Sequence, residues 1–333
     1  MRIFGWAADN GGCGYYRVKL PLDTLRSLGH ETLTATVMPD EWQETADVIV
    51  GQRVCNPGPT SRWQKLAREG SAKLVFEVDD DLLNVHHSNR AGHAFFKQPE
   101  IRQNLTDNIT VADLVTVTNE HLAERVSAFN PNVAILPNYI PAAMLDLPTP
   151  PEAERLTVGW AGSATHRMDW EEAAEPIAKF MVKGAAKHLD MHFIGDLHEH
   201  WFDFRPWDKL GGRIRRSPWV QRIPDYHAAL DFHIGLAPLK PHVFNLSKSP
   251  IKALEYAARG IPVIASDFGP YAAFVQDGET GVLVRERAGW AAALWELSRA
   301  DGPRRQMSKA AQELARAHTI EGNAWRWERA LSV

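Results

Sequence analysis

The chain has 333 residues, 44% hydrophobic and 23% charged, which is a globular composition with enough apolar side chain for two domains of ordinary size. Gly 23 and Pro 21 are close to average usage and exclude collagen-like and low-complexity chains. A formal net charge of −4 gives no global positive field for a polyanion, and two cysteines, Cys13 and Cys55, exclude a disulfide framework.

No apolar run approaches the roughly 20 residues of a membrane span. Residues 1–6 read as a first strand rather than a signal peptide, so a soluble, cytoplasmic protein is expected. The loop 9–17 follows, and then apolar runs at 48–50, 74–78, 114–117 and 133–136 alternate with helical stretches such as 63–69 and 120–129. This is the rhythm of a parallel sheet covered by helices. Five prolines between Pro137 and Pro151 interrupt it and read as a linker. The rhythm restarts at 156–161, 192–195, 232–236 and 261–265, and the tail is helical over 289–317 and 320–331. The expectation is an α/β chain of two doubly wound, Rossmann-like domains at 1–140 and 154–318. A linker at 141–153 joins them, and the final helix, 319–333, packs back on the first.

Between Lys248 and Ser266 the sequence marks both ends of a helix. Ser249 is a natural N-cap and Pro250 fits the first helical position. Gly260 suits the left-handed position beyond the end, and Pro262 stops continuation. Ile251, Leu254 and Ala258 share one face and are expected to be buried. Glu255 lies beside that face, where a carboxylate is costly unless it is paired or lines a cleft. It leans toward a helix start with free N–H groups, to which Lys248 adds a charge. One reading is a phosphate at the helix start with the carboxylate accepting from both ribose hydroxyls; the other is a helix with one salt-bridged glutamate.

This segment closely resembles the donor-nucleotide motif of group 1 glycosyltransferases (glycosyltransferase family 4), and the form of residues 248–252 is similar to bacterial and phage-encoded members. The resemblance spans essentially the whole chain and is strongest from Tyr226 to Val284. It implies the GT-B fold, two Rossmann-like domains facing a cleft, with the acceptor on the first and the donor nucleotide on the second. It assigns the ribose diol to Glu255 and the phosphate end to Lys248, Ser249, Pro250 and Ile251. The family often carries another glutamate eight positions earlier, where this chain has Ser247, so the donor sugar stays unassigned.

After the strand ending at Ala161, the small-residue loop from Gly162 leads into a helix. Asp169 is expected as its N-cap, with Glu172 at the capping-box position. Such a loop lets the backbone approach a phosphate. The resemblance implies a diphosphate clamp here. Its usual arginine is replaced by Ser163, which leaves Arg167 and then His166 as the basic residues. The alternative is an ordinary loop with a surface arginine. Residues 222–226 neighbour a loop that in the family receives the base through main-chain groups, which leaves the base unread.

The loop Asp9 to Arg17 lacks the third glycine of a GxGxxG fingerprint, against a dinucleotide-dependent dehydrogenase. By resemblance Gly11, Gly12, Tyr16 and Arg17 face the donor phosphates and acceptor; a tight turn with a buried tyrosine pair is the alternative. Asp79, Asp80 and Asp81 end a strand near His86 and His87. They read as acceptor positioning or proton relay, as helix caps, or as metal ligands. The basic run Arg213, Arg215, Arg216 and Arg222 meets an anionic acceptor or forms a solvated face. Asn138 is similar to the Pro-Asn hinge that ends the family's first domain.

The resemblance implies retaining transfer of a sugar from a nucleotide-diphosphate sugar, UDP- or GDP-linked, without metal or further cofactor. The acceptor is open among glycan, lipid, protein and modified DNA base. The alternatives are a nucleotide-sugar epimerase of the same fold and a non-catalytic nucleotide-sugar-binding module.

Overall fold

The computed structural model describes residues 1–151, 153–196 and 206–332. It divides into two units. One holds Met1–Pro141, the short segment Leu246–Ser249 and the chain from Thr319 onward; the other holds Ala142–Asn245 and Pro250–His318.

The first unit is built on a six-stranded sheet of β1 (Arg2–Trp6), β2 (Glu31–Ala35), β3 (Val48–Gln52), β4 (Lys73–Glu77), β5 (Leu114–Val117) and β6 (Val133–Ile135). The order is β2-β1-β3-β4-β5-β6, with every pairing parallel. The second unit repeats the plan with β7 (Leu156–Gly162), β8 (Leu189–Gly195), β9 (Ile214–Ser217), β10 (Ile234–Ala237), β11 (Val263–Ser266) and β12 (Gly281–Val284). Its order is β12-β11-β10-β7-β8-β9, again all parallel. Three of these strands, β2, β9 and β12, have no counterpart among the sequence expectations, and all three lie at sheet edges. An edge strand is half solvated and need not read as an apolar run. The central β3 and β10 are buried at every position, as a sheet covered on both faces requires.

Aromatic side chains fill both cores. Trp63 meets Phe76 edge to face at 5.8 Å in the first unit, and Trp170 meets Phe193 at 5.2 Å and 90° in the second. Packing is tight enough that a Cβ on Gly159 would lie 1.9 Å from the Phe232 ring.

Arg17 corrects an expectation. It is fully buried rather than exposed on the glycine-rich loop. Its guanidinium forms a fork with Glu77 at 2.7 and 2.9 Å, donates to the Leu136 carbonyl and to Asn138 Oδ1, and lies 5.4 Å from the Trp327 ring. Thr116 Oγ1 donates to the same carboxylate. One side chain thus ties the helix after β1 to β4, to the segment after β6 and to the C-terminal helix Ile320–Ser332. Glu77→Ala leaves that cation buried and uncompensated and is expected to cost about 3–5 kcal/mol in denaturant unfolding, whereas Arg17→Met with Glu77→Leu recovers most of the loss.

Candidate functional site

In the second unit the chain winds from β7 outward to β8 and β9, then returns to build β10, β11 and β12 on the other side. The two directions part between β7 and β10, and ligands of open α/β sheets bind outside the carboxyl ends of strands at such a point. The helix Ile251–Ala258 connects β10 to β11. It starts at Ile251, with Pro250 at the cap position and no side-chain cap. Ser249 is therefore not the N-cap; its Oγ accepts from Asn138 Nδ2 at 2.8 Å, a tertiary partner that outcompetes the local one. Gly260 has φ 63°, as its predicted place beyond the helix requires. Leu254 and Ala258 are buried and Ile251 is half-buried.

Two charged residues of this helix are buried. Glu255 Oε2 accepts from the Tyr226 hydroxyl at 2.9 Å, and Oε1 lies 3.9 Å from His227 Nε2. Burial, with the neighbouring Arg259, lowers the His227 pKa to about 4, so this imidazole is neutral at pH 7. Burial and the Glu255 charge together push the Tyr226 phenol well above its ordinary value, so it stays a donor. Arg259 donates to the His227 carbonyl and, at 2.8 Å, to that of Pro148. The Tyr226 hydroxyl occupies one of the acceptor positions of the Glu255 carboxylate.

Lys252, one turn before Glu255, is a candidate site residue that the sequence alone does not single out. It is buried, its ammonium donates to the Ala161 carbonyl at the end of β7, and Nζ lies 4.9 Å from the centre of the Trp160 ring. The signal was its three-residue spacing from Glu255, which puts both on one face. It was obscured because a lysine between Ile251 and Ala253 reads as a solvated charge. At the same strand end, a Cβ on Gly162 would meet the Trp160 ring at 2.7 Å and Lys252 Nζ at 3.1 Å.

Beyond Gly162, Ser163 Oγ pairs with Thr165 Oγ1 at 2.7 Å. The next helix runs Arg167–Met181 with His166, not Asp169, at its cap position. Asp169 falls inside the first turn because its carboxylate is taken elsewhere. Oδ1 accepts from Lys240 N at 3.0 Å and Asn245 Nδ2 at 2.8 Å, and Oδ2 lies 3.0 Å from His166 Nδ1. Arg167 is turned to the surface, where it pairs with Glu171 at 3.0 Å.

In the first unit the winding reverses between β1 and β3. Asp9 Oδ1 accepts from Gly11 N at 2.7 Å and Gly14 N at 3.2 Å, which shapes the loop through Gly12; Tyr16 is buried. Of the three consecutive aspartates, Asp79 and Asp80 both lie near Arg53, the latter at 3.8 Å, while Asp81 turns to a different cation. Asp79 is gripped by Arg53, Asp81 pairs with Arg125 at 2.9 Å, and Asp80 Oδ1 lies 3.8 Å from Lys248 Nζ. Burial raises the Asp79 carboxyl but the Arg53 charge outweighs it, and the net shift is down. For Asp80 burial prevails over Lys248, with Asp79 beside it, and the shift is up. His86 is turned to Ser88, whose hydroxyl is 2.9 Å from Nδ1, and its ring lies 4.1 Å from that of His87. Lys248, expected beside Glu255, is thus part of the first unit with Asp80, and Ser247 is fully buried with its carbonyl accepting from Thr118. Of the basic run, Arg213 is spent on the carbonyls of Met181, Ala186 and Leu189, and Arg215 on Asp231.

Residues 155–300 match the family described as glycosyl transferases group 1. No curated protein sequence matches the chain. Among solved structures, HepE of Anabaena in complex with UDP superposes with a TM-score of 0.71 at 13% identity, covering 100% of both chains. Sucrose-phosphate synthase from Thermosynechococcus elongatus gives 0.66 at 15%, covering 99% of this chain and 98% of the other. TarM of S. aureus, in complex with UDP among other ligands, gives 0.61 at 14%, covering 86% and 55%. The fold is GT-B, and together with the group 1 domain it indicates a glycosyltransferase.

His227 supplies a pH test. Its folded pKa of about 4 lies below the unfolded value near 6.5, so the unfolded chain takes up the proton first as pH falls. The stability this residue contributes is complete above pH 6.5 and is lost toward pH 4, by about 3 kcal/mol. The stability difference between wild type and His227→Gln, measured by urea unfolding, is expected to narrow over that interval.

Proposed function

We propose that the chain transfers a sugar from a nucleotide-diphosphate sugar with retention of configuration, using neither a metal nor a further cofactor. The observation that carries this reading is the pair of buried charges one turn apart on a single helix, Lys252 at the end of β7 and Glu255 beside Tyr226. A nucleotide needs that pair: an acceptor for two ribose hydroxyls and, a short step away, a cation for phosphate. The location supports the same reading, since phosphates favour the switch point of a doubly wound sheet. HepE and TarM, whose folds this chain shares, have been solved with UDP, which favours a UDP-sugar over a GDP-sugar.

In this reading the ribose diol donates to Glu255, and Tyr226 holds that carboxylate in place. The diphosphate lies at the end of β7, against the Lys252 ammonium and the backbone of the Gly162 loop. As the bond from the anomeric carbon to the phosphate oxygen breaks, negative charge develops on the terminal phosphate. Fixed cations there stabilise it without reorganising. The leaving phosphate oxygen takes the proton of the acceptor hydroxyl, so no covalent nucleophile is required. The acceptor class is open among glycan, lipid, protein and modified DNA base.

Thermal unfolding with UDP, GDP, ADP, dTDP and CMP tests the donor. A ligand at 100 times its Kd adds about 2.7 kcal/mol, and UDP is expected to give the largest rise in Tm. Glu255→Ala is expected to weaken UDP binding by about 1.5–3 kcal/mol in calorimetry. No shift with any nucleotide, or an unchanged affinity in Glu255→Ala, would sink the assignment.

A further inference from the structure

We infer that Asp169 is a positioning residue that holds His166 as a hydrogen-bond donor to the terminal phosphate of a bound nucleoside diphosphate, so that the site discriminates diphosphates from monophosphates. This rests on the preceding reading, which puts the diphosphate at the end of β7.

Asp169 is 2% exposed, and both of its carboxylate oxygens are engaged. Oδ1 accepts from the Lys240 amide and from Asn245 Nδ2, which belong to the segment following β10, while Oδ2 faces His166 Nδ1 at 3.0 Å. The carboxylate therefore spans the switch point. It is anchored on the β10 side and presents its second oxygen to a ring on the β7 side. An ionised carboxylate only accepts, so the His166 proton on this side sits on Nδ1, and the tautomer and the direction of Nε2 follow. The ring meets the Trp160 indole edge to face at 6.5 Å, and the Lys252 ammonium lies over that same indole. The imidazole and Lys252 thus flank one aromatic side chain at the end of the strand.

When a phosphate dianion approaches, the ring lies between two anions. That placement favours the doubly protonated form, in which Nδ1–H donates to Asp169 and Nε2–H to the phosphate. Arg167, the basic residue that the sequence favoured for this task, is instead paired outward with Glu171. The consequence is selectivity. A monophosphate does not extend to His166, so its affinity does not depend on Asp169.

The test compares UDP with UMP by calorimetry in wild type, Asp169→Asn, His166→Gln and Glu255→Ala. Asp169→Asn keeps the side-chain shape and a hydrogen-bonding group but lacks the charge. The expected result is a loss of about tenfold for UDP, the scale on which an outer-shell carboxylate acts, with UMP unchanged within twofold. His166→Gln should behave alike, and the double variant should lose no more than either single one. Nitrogen NMR of the wild-type UDP complex should show protons on both His166 ring nitrogens, and the Asp169→Asn complex only one. Equal losses for UDP and UMP in Asp169→Asn would make Asp169 a fold residue and overturn the inference, as would one protonated ring nitrogen in the wild-type complex. Loss of UDP binding in Glu255→Ala with none in Asp169→Asn overturns this inference alone. Failure of the wild type to bind UDP overturns it together with the donor reading.

Discussion

A parallel sheet wound in two directions has one place where neighbouring strands send their connections to opposite faces. The strand ends there are not covered by a crossing helix, and the backbone groups that project from them must find partners in loops and side chains. Both units show the consequence. At the parting of β1 and β3, Asp9 receives two loop amides, while Gln52 accepts from Ala8 N and donates to the Cys13 carbonyl, both at 3.1 Å. At the parting of β7 and β10, the Ala161 carbonyl accepts from Lys252, the Ala161 amide donates to the Tyr256 hydroxyl at 3.0 Å, and Asp169 receives Lys240 and Asn245. In the second unit, side chains that satisfy the backbone in this way, Lys252 and Asp169, belong to the candidate site.

Burying those groups demands partners of matching strength, and the two units use different kinds. In the first unit the clusters are closed ion pairs: Arg17 with Glu77, Arg53 with Asp79, Arg125 with Asp81. Arg53 even adopts the left-handed backbone, φ 51°, a conformation that costs a non-glycine residue about 1–2 kcal/mol. From there its guanidinium reaches both Asp79 and Cys13 Sγ. Burial raises the Cys13 thiol pKa far above its ordinary value, the Arg53 charge notwithstanding, which leaves this cysteine unreactive at neutral pH. In the second unit the partners of the buried charges of the helix Ile251–Ala258 include a carbonyl, an indole face and a phenol.

The sequence made the central strands and the long helices readable, because each carries a run of like residues. It hid what depends on tertiary competition. Ser249 has the chemistry of a cap, but Asn138 lies within 2.8 Å of its hydroxyl. Asp169 has it too, and two donors from beyond β10 claim the carboxylate instead. Lys248 and Lys252 are four residues apart and equal in charge, so no local rule separates them. The fold turns the first toward Asp80 and buries the second against Trp160. Arg17 followed the loop glycines closely enough to read as part of their surface, and only the arrival of Glu77 from β4 makes it a core residue. The edge strands β2, β9 and β12 escaped for the opposite reason: their exposed faces tolerate charge, as Arg215 and Arg216 in β9 show.

The sequence left two readings of Glu255, a ribose acceptor and one half of a salt bridge. A salt bridge would need a cation against the carboxylate and would consume its acceptor positions. Glu255 accepts a hydrogen bond from a phenol, and the imidazole 3.9 Å away is kept neutral by burial and by Arg259. Arg259 itself is turned to the carbonyls of His227 and Pro148. Neutral donors satisfy a buried carboxylate only in part, and hydroxyls are donors of the same kind as the one already present. Tyr226, which supplies such a hydroxyl to Glu255, is a residue whose place beside that carboxylate no local sequence rule anticipates.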